Sequence, residues 1–279
     1  MNAPRKLAAY ALGLAAVFGA ATAAGAAIEP TGLANAEPAE EEHGGMPDGM
    51  ALPGLAAAEG GLRLVADADT QRLGAEHDYR FRILGEDGVV TDFDVEHTKR
   101  MHVIVVRRDF VGFQHLHPTM SDDGTWTMPL TIDDAGTYRV FADFVINGDK
   151  HTLGTDLFVG GNVTPESLPE HDHAADAGDG YTVHVEGEPV VGIESELEFE
   201  IRLDGEVITD VPEYLGARGH LVALRDGDLA YLHVHADEER LEFEADFPTA
   251  GAYRLFLQFK HDGEVRTAAF TVDAAEETR

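Results

Sequence analysis

A chain of 279 residues holds two domains of about 100 residues each plus connecting segments, by the usual relation of length to domain size. Its formal net charge of −32, from 52 acidic against 20 basic residues, excludes nucleic acid and anionic lipid as natural partners and draws cations. The absence of cysteine removes disulfides, thiolate metal sites and cysteine nucleophiles, so packed cores must supply the stability. Acidity with only Lys6, Lys99, Lys150 and Lys260 as lysines also fits plain solubility or a saline habitat, and by itself names no ligand.

The chain opens with Arg5 and Lys6 followed by an uncharged run from Leu7 to Ala27, the layout of an export signal. Residues 1–27 are read as a signal peptide, cut after a small-residue triplet such as Ala21-Thr22-Ala23, with a retained N-terminal membrane anchor as the alternative. Everything beyond is expected outside the cytoplasm, secreted or anchored through that segment alone. Residues 28–58 have no period of 3.6 or 2 and read as a flexible acidic tether, which carries His43, Met46 and Met50. Two domains follow, at 59–159 and 180–273, separated by a polar linker over 160–179 that contains His171 and His173.

Within each domain, short β-branched and aromatic runs alternate with Gly, Asp and Asn turns: Tyr79–Leu84, His102–Val106 and Tyr138–Val145, then Leu197–Leu203, His220–Leu224 and Tyr253–Phe259. No helix of ordinary length is signalled. The class is all-β, two tandem antiparallel β-sandwich domains, immunoglobulin-like or cupredoxin-like, a choice that periodicity leaves open. The two domains are copies. Residues 91–117 read without a gap onto residues 209–235, the run Ala135–Phe141 matches Ala250–Phe256, and the turns Asn147-Gly148 and Asp262-Gly263 correspond.

The repeat places His102, His115 and His117 on His220, His233 and His235. In the second copy, Arg225-Asp226-Gly227-Asp228 suggests a two-residue hairpin, and pairing Arg225 with Asp228 sets His220 opposite His233. Alternation then turns His235 to the same face, so three imidazoles converge, and the repeat carries this register to the first copy. Ile104, Val106, Val111 and Phe113, or Val222, Leu224, Leu229 and Tyr231, share that face and place each triad at the rim of an apolar core. Three histidines spaced H-x12-H-x-H are a credible metal shell, with hydrogen-bonded core-edge histidines as the bland alternative.

Imidazole sets suit copper, zinc and nickel, whereas calcium and magnesium take hard oxygens. The neighbouring Met46, Met50 and His43 tilt the choice toward copper, with zinc as the alternative, although an incidental spacer composition explains them as simply. Met101 and Met120 lack counterparts in the second copy, and His97 aligns with Leu215, so none of the three is assigned to the site. His77, His151, His184 and His261 are read as surface or strand-edge residues, and Lys99, Arg100 and Arg218 as partners of nearby carboxylates. No nucleophile elbow, zincin helix, P-loop or dinucleotide turn is present, so no catalytic residue is assigned.

The stretches Lys99-Arg100-Met101-His102, Gly112–Pro118, Tyr214–His220 and Tyr231–His235 resemble those of actinobacterial secreted or membrane-anchored proteins. That resemblance implies an association with heavy-metal, chiefly copper, handling. The expected function is therefore extracytoplasmic binding of a late transition metal at each triad for sequestration or delivery, in partnership with a metal-transport protein of the membrane. The competing expectation is a metal-independent cell-envelope interaction module of tandem immunoglobulin-like domains. Metal that binds the folded state alone raises stability, which separates the two.

Overall fold

The computed structural model describes residues 52–237 and 240–276, and all its regular elements are β-strands. Residues 1–27, expected as an export signal, and the Met/His part of the expected tether lie outside the described residues. Among the described residues no helix is long and apolar enough to cross a membrane.

The first repeat contains β1 (Ala58–Glu59), β2 (Leu62–Ala66), β3 (Thr70–Gln71), β4 (His77–Gly85), β5 (Gly88–Val89), β6 (His102–Arg107), β7 (Gln114–Leu116), β8 (Thr119–Met120), β9 (Trp126–Leu130), β10 (Gly136–Ile146) and β11 (Asp149–Val159). The second contains β12 (Ala174–Gly178), β13 (Tyr181–Glu186), β14 (Glu194–Leu203), β15 (Glu206–Val207), β16 (Gly219–Arg225), β17 (Val234–Ala236), β18 (Glu242–Asp246), β19 (Gly251–His261) and β20 (Glu264–Ala274). β12 falls inside the segment 160–179 expected as linker, and it pairs with β13.

Alternation builds the strands. In β4, Tyr79, Phe81 and Ile83 are buried while Asp78 and Arg80 face solvent, and the buried rings meet Trp126, Tyr138 and Phe144 in the first sandwich core. Phe199, Phe243, Phe247, Phe259 and Phe270 fill the equivalent core of the second. The turns Asn147-Gly148 and Asp262-Gly263 have positive φ at both residues and close the hairpins β10–β11 and β19–β20 as the repeat predicts.

The first repeat's sheets run β1-β2-β4-β9-β8 and β3-β11-β10-β6-β7, with β3 crossing over to pair in parallel with β11. This is the immunoglobulin strand order, and the tyrosine corner that accompanies it is present twice. The Tyr138 hydroxyl donates to the Asp134 carbonyl at 2.9 Å, and Tyr253 to Thr249 at 2.8 Å. The choice left open by periodicity falls to the immunoglobulin-like fold. The second repeat has β12-β13-β14-β18-β17 against a three-stranded β16-β19-β20 sheet. Among the described residues it lacks a counterpart of β7.

β6 is buried along its whole length because its sheet is covered on both faces. One face closes its own sandwich; the other packs on the β16-β19-β20 sheet of the second repeat, through Ile104, Val106, Phe110 and Phe141 against Val222, Leu224, Leu229 and Phe256. The apolar face expected at the rim of a sandwich core is instead the seam between the repeats. Phe113 stacks on Phe256 at 4.0 Å and 7°, and Phe141 meets Tyr231 at 5.5 Å. Phe113 and Tyr231 correspond in the repeat, as do Phe141 and Phe256, so the two contacts exchange under a pseudo-two-fold, as across a self-complementary dimer interface.

The chain entering the first repeat straps this seam. The Tyr231 amide donates to the Pro53 carbonyl at 3.0 Å, from the second repeat, while Gly54 bonds Thr152 in the first at 2.8 Å. Buried Arg139 donates to the Gly54 and Leu55 carbonyls at 2.6 and 2.7 Å and pairs with Asp156. Gly54 sits at φ 75°, and a Cβ there would lie 2.7 Å from the Phe141 ring, so glycine is required.

Candidate metal centre at the seam between the repeats

At one end of the seam, His102 opens β6, His115 lies on β7 and His117 follows it. The β6–β7 register pairs Ile104 with His115 and Val103 with Leu116, which sets His102 opposite His117 rather than His115. This corrects the expected register by two residues. An even shift preserves the face, so the three rings still converge. His102 Nδ1 lies 3.1 Å from His115 Nε2 and 3.2 Å from His117 Nε2, and the three nitrogens all fall within 4.8 Å of one another. Bonds of about 2.0–2.1 Å at tetrahedral angles place neighbouring nitrogens roughly 3.3 Å apart, close to the two distances from His102 Nδ1.

Partners on the far side of two rings fix where the protons sit. His102 Nε2 faces the Glu96 carbonyl at 3.2 Å, an acceptor only, so that nitrogen donates and Nδ1 keeps its lone pair. His115 Nδ1 donates to Gln258 Oε1 at 2.9 Å, while Gln258 Nε2 donates to Thr267 Oγ1 at 3.1 Å, which leaves His115 Nε2 bare. Two lone pairs therefore face each other at hydrogen-bond distance with no proton between them, an arrangement that a cation relieves. Gln258 comes from the second repeat, so the site is composite.

The Glu96 carbonyl is aimed by a tight turn. Glu96 and Lys99 exchange both backbone hydrogen bonds around His97 and Thr98, which have φ of 46° and 66°. A left-handed β-branched residue such as Thr98 is strained. The second repeat builds the same turn from Tyr214 to Ala217, and there His220 Nε2 donates to the Tyr214 carbonyl at 2.8 Å.

Burial governs the electrostatics. It lowers the pKa of His102, pushes His115 well below the imidazole range with help from its histidine neighbours, and brings His117 to about 4. His220, 8% exposed, is likewise brought to about 4 by burial. The cluster is thus neutral at pH 7, the state in which imidazole binds metal. His97, His102, His115 and His220 line one cavity together with Asp143, whose carboxyl burial raises to about 6.

The second expected triad does not assemble. The Arg225 amide bonds the Ala230 carbonyl and Leu224 bridges Tyr231, because Leu229 adopts φ 62° and lengthens the turn beyond Asp226-Gly227. This register would face His220 with His235, but the pairing ends at Leu232, where the chain crosses to β18 as β17. The counterpart of Ala236 is Pro118. In the second repeat β17 pairs with β18 through Ala236 opposite Phe243, whereas in the first repeat pairing with β9 begins only at Thr119, after Pro118. Val234 and Ala236 then pack on the second core and His233 and His235 are exposed, their rings 4.4 Å apart, with His233 at the edge of the cavity that His220 lines.

His220 joins the first triad instead, its ring 6.3 Å from His102 and 6.1 Å from His115. His97, exposed as expected, nonetheless stands 5.1 Å from His220 and 6.2 Å from His102. Met101 is buried in the first core on the side away from the cluster. His171 and His173 form an exposed pair 4.6 Å apart. Sequence reasoning missed Gln258. Its one signal is the break in the repeat, where Asp143 stands at the equivalent position, bonded to Thr152 as Gln258 is to Thr267.

Two immunoglobulin-like sandwiches, docked face to face and sharing a histidine cluster at their seam, define the class of this protein. The chain belongs to the family described as Domain of unknown function (DUF8832), whose model matches twice, at residues 57–160 and 175–276. No curated protein matches it. Among solved structures it is similar to Salmonella α-2-macroglobulin reacted with methylamine, with 14% identity, a TM-score of 0.29, and coverage of 80% of this chain and 15% of that one. It is also similar to the Escherichia coli adhesin FdeC, with 13% identity, a TM-score of 0.25, and coverage of 77% and 64%. The tandem Ig repeats of Dlar give 8%, 0.22, 78% and 98% in the same order. The chain thus spans less than two thirds of the first two of these.

Proposed function

We propose that this protein binds one late transition-metal ion at His102, His115 and His117, outside the cytoplasm, for sequestration or delivery. The observation that carries this reading is the convergence of three ring nitrogens within 4.8 Å, with His102 Nδ1 at 3.1 and 3.2 Å from the other two, and with His102 Nδ1 and His115 Nε2 stripped of protons by their outer partners. Copper is favoured over zinc, because imidazole suits both and Met46 and Met50 add soft donors nearby in sequence. Delivery would engage a metal-transport protein of the membrane. With no general base among the cluster's neighbours shared by both repeats, binding is the simpler role than turnover.

The tandem immunoglobulin-like architecture itself favours a second reading, a metal-independent interaction module of the cell envelope. Calorimetric titration with copper(II) and zinc(II) separates the two. One equivalent per chain, lost in His115→Ala/His117→Ala, is the result expected of the metal site. Absent heat, with a melting temperature unmoved by either metal, would leave the interaction module standing.

Gln258 supplies a sharper check. Gln258→Met removes the acceptor that holds His115 and is expected to weaken metal binding about 10- to 100-fold, as loss of an outer partner does. Gln258→Glu keeps an acceptor and should retain affinity. Equal affinities in both variants would show that the contact does not orient the ligand.

A further inference from the structure

We infer that His220 of the second repeat is the fourth ligand of this centre, so that the bound ion staples the two sandwiches together. The inference rests on the metal reading above and adds the ligand that completes it. His220 is buried and lines the same cavity as His102 and His115. Its Nε2 is committed to the Tyr214 carbonyl, which leaves Nδ1 as the lone pair, and among the described residues that atom has no hydrogen-bond partner. The arrangement copies His102, whose Nε2 is held by Glu96 while Nδ1 points to the triad.

Spacing shows what closure requires. Four imidazoles around one tetrahedral ion have ring centroids roughly 5 Å apart, given nitrogen–metal bonds of about 2.0–2.1 Å. The triad's rings are already 5.3, 4.9 and 4.8 Å apart. His220 stands at 6.3 and 6.1 Å from His102 and His115, a gap of about 1 Å beyond that ideal. The competitors for the open position are His97 and His233, which line the same cavity; both are solvent-exposed, neither makes a ring contact with His115 among the described residues, and His97 belongs to the strained turn. Burial and a fixed tautomer favour His220.

The test uses wild-type protein, labelled with nitrogen-15 in histidine and loaded with one equivalent of zinc. Four metal-bound imidazole nitrogens are expected, two of type Nδ1 and two of type Nε2. Titration of His220→Ala and His220→Asn should then show binding at one equivalent with affinity at least tenfold lower, and the cobalt(II) form of each should lose tetrahedral absorption intensity. Three bound nitrogens, or a fourth that disappears in His97→Ala or His233→Ala, would overturn the assignment of His220 while leaving the triad intact. No bound nitrogen would overturn the triad as well. The count is made on unsubstituted protein, so the outcome holds even where a variant fails to fold.

Discussion

Phe256→Ala is expected to cost about 3–5 kcal/mol and to uncouple the unfolding of the two repeats, because it empties the centre of the seam rather than either sandwich core. Phe256 is 3% exposed, and its ring lies parallel to Phe113 across the interface. Its neighbours are Ile104, Val106, Val222 and Leu224, whereas each sandwich closes on its own aromatic cluster. Calorimetric melting should therefore change from one transition to two. Phe141→Ala removes the pseudo-symmetric contact and should act the same way, with additional damage at Gly54, which leans on that ring. A single transition merely shifted down in temperature would show that the repeats are held together elsewhere. Either substitution should also weaken metal binding, since Gln258 and His220 reach the centre only when the repeats are docked.

Metal-free protein is expected to lose several kcal/mol of stability as the pH falls from about 6.5 to about 4, through the buried imidazoles. The sign follows from the direction of the shifts. Burial lowers the pKa of His102, His115, His117 and His220 in the folded state, so between the two values the unfolded chain binds more protons. The stabilising contribution is complete above the unfolded pKa and vanishes as pH drops through the folded one. For buried His220, a change from 6.5 to about 4 is worth about 3 kcal/mol. Asp143 works in the opposite direction. Its carboxyl, raised to about 6 by burial, gains stability on protonation as pH falls toward 3.8, but one carboxyl does not offset several imidazoles. Lys99 and His97 disfavour charge on the cluster, while Glu96 partly offsets them at His102. Urea midpoints at pH 7, 5.5 and 4.5 in chelator, compared with His102→Gln/His115→Gln, isolate the effect from the relief of the −32 net charge, which both proteins share. Parallel pH profiles for the two would remove the cluster as the cause.

Much of this arrangement is legible in the residues. Duplication, the all-β class, the Asn147-Gly148 and Asp262-Gly263 turns and the common face of His102, His115 and His117 follow from spacing and alternation. Register is less legible. Asp226-Gly227 reads as a two-residue turn, yet Leu229 enters the left-handed region and moves the pairing by two residues, a local strain that sequence alone does not announce. The fate of His233 and His235 follows from where the chain leaves one sheet for the other, at Val234 in the second repeat and only at Thr119 in the first. The seam had a signal in Val103-Ile104-Val105-Val106 and Leu221-Val222-Ala223-Leu224, continuous apolar runs that call for cover on both faces. Such runs say that a second layer exists, not that the other repeat provides it.

The strap over Pro53 and Gly54 gives the molecule a defined load path. Tension applied to the chain upstream of residue 52 meets the Tyr231–Pro53 hydrogen bond first and then the bonds of Gly54 to Thr152 and Arg139. One of those bonds goes to the second repeat and the others to the first, so a pull would be shared between the repeats at once.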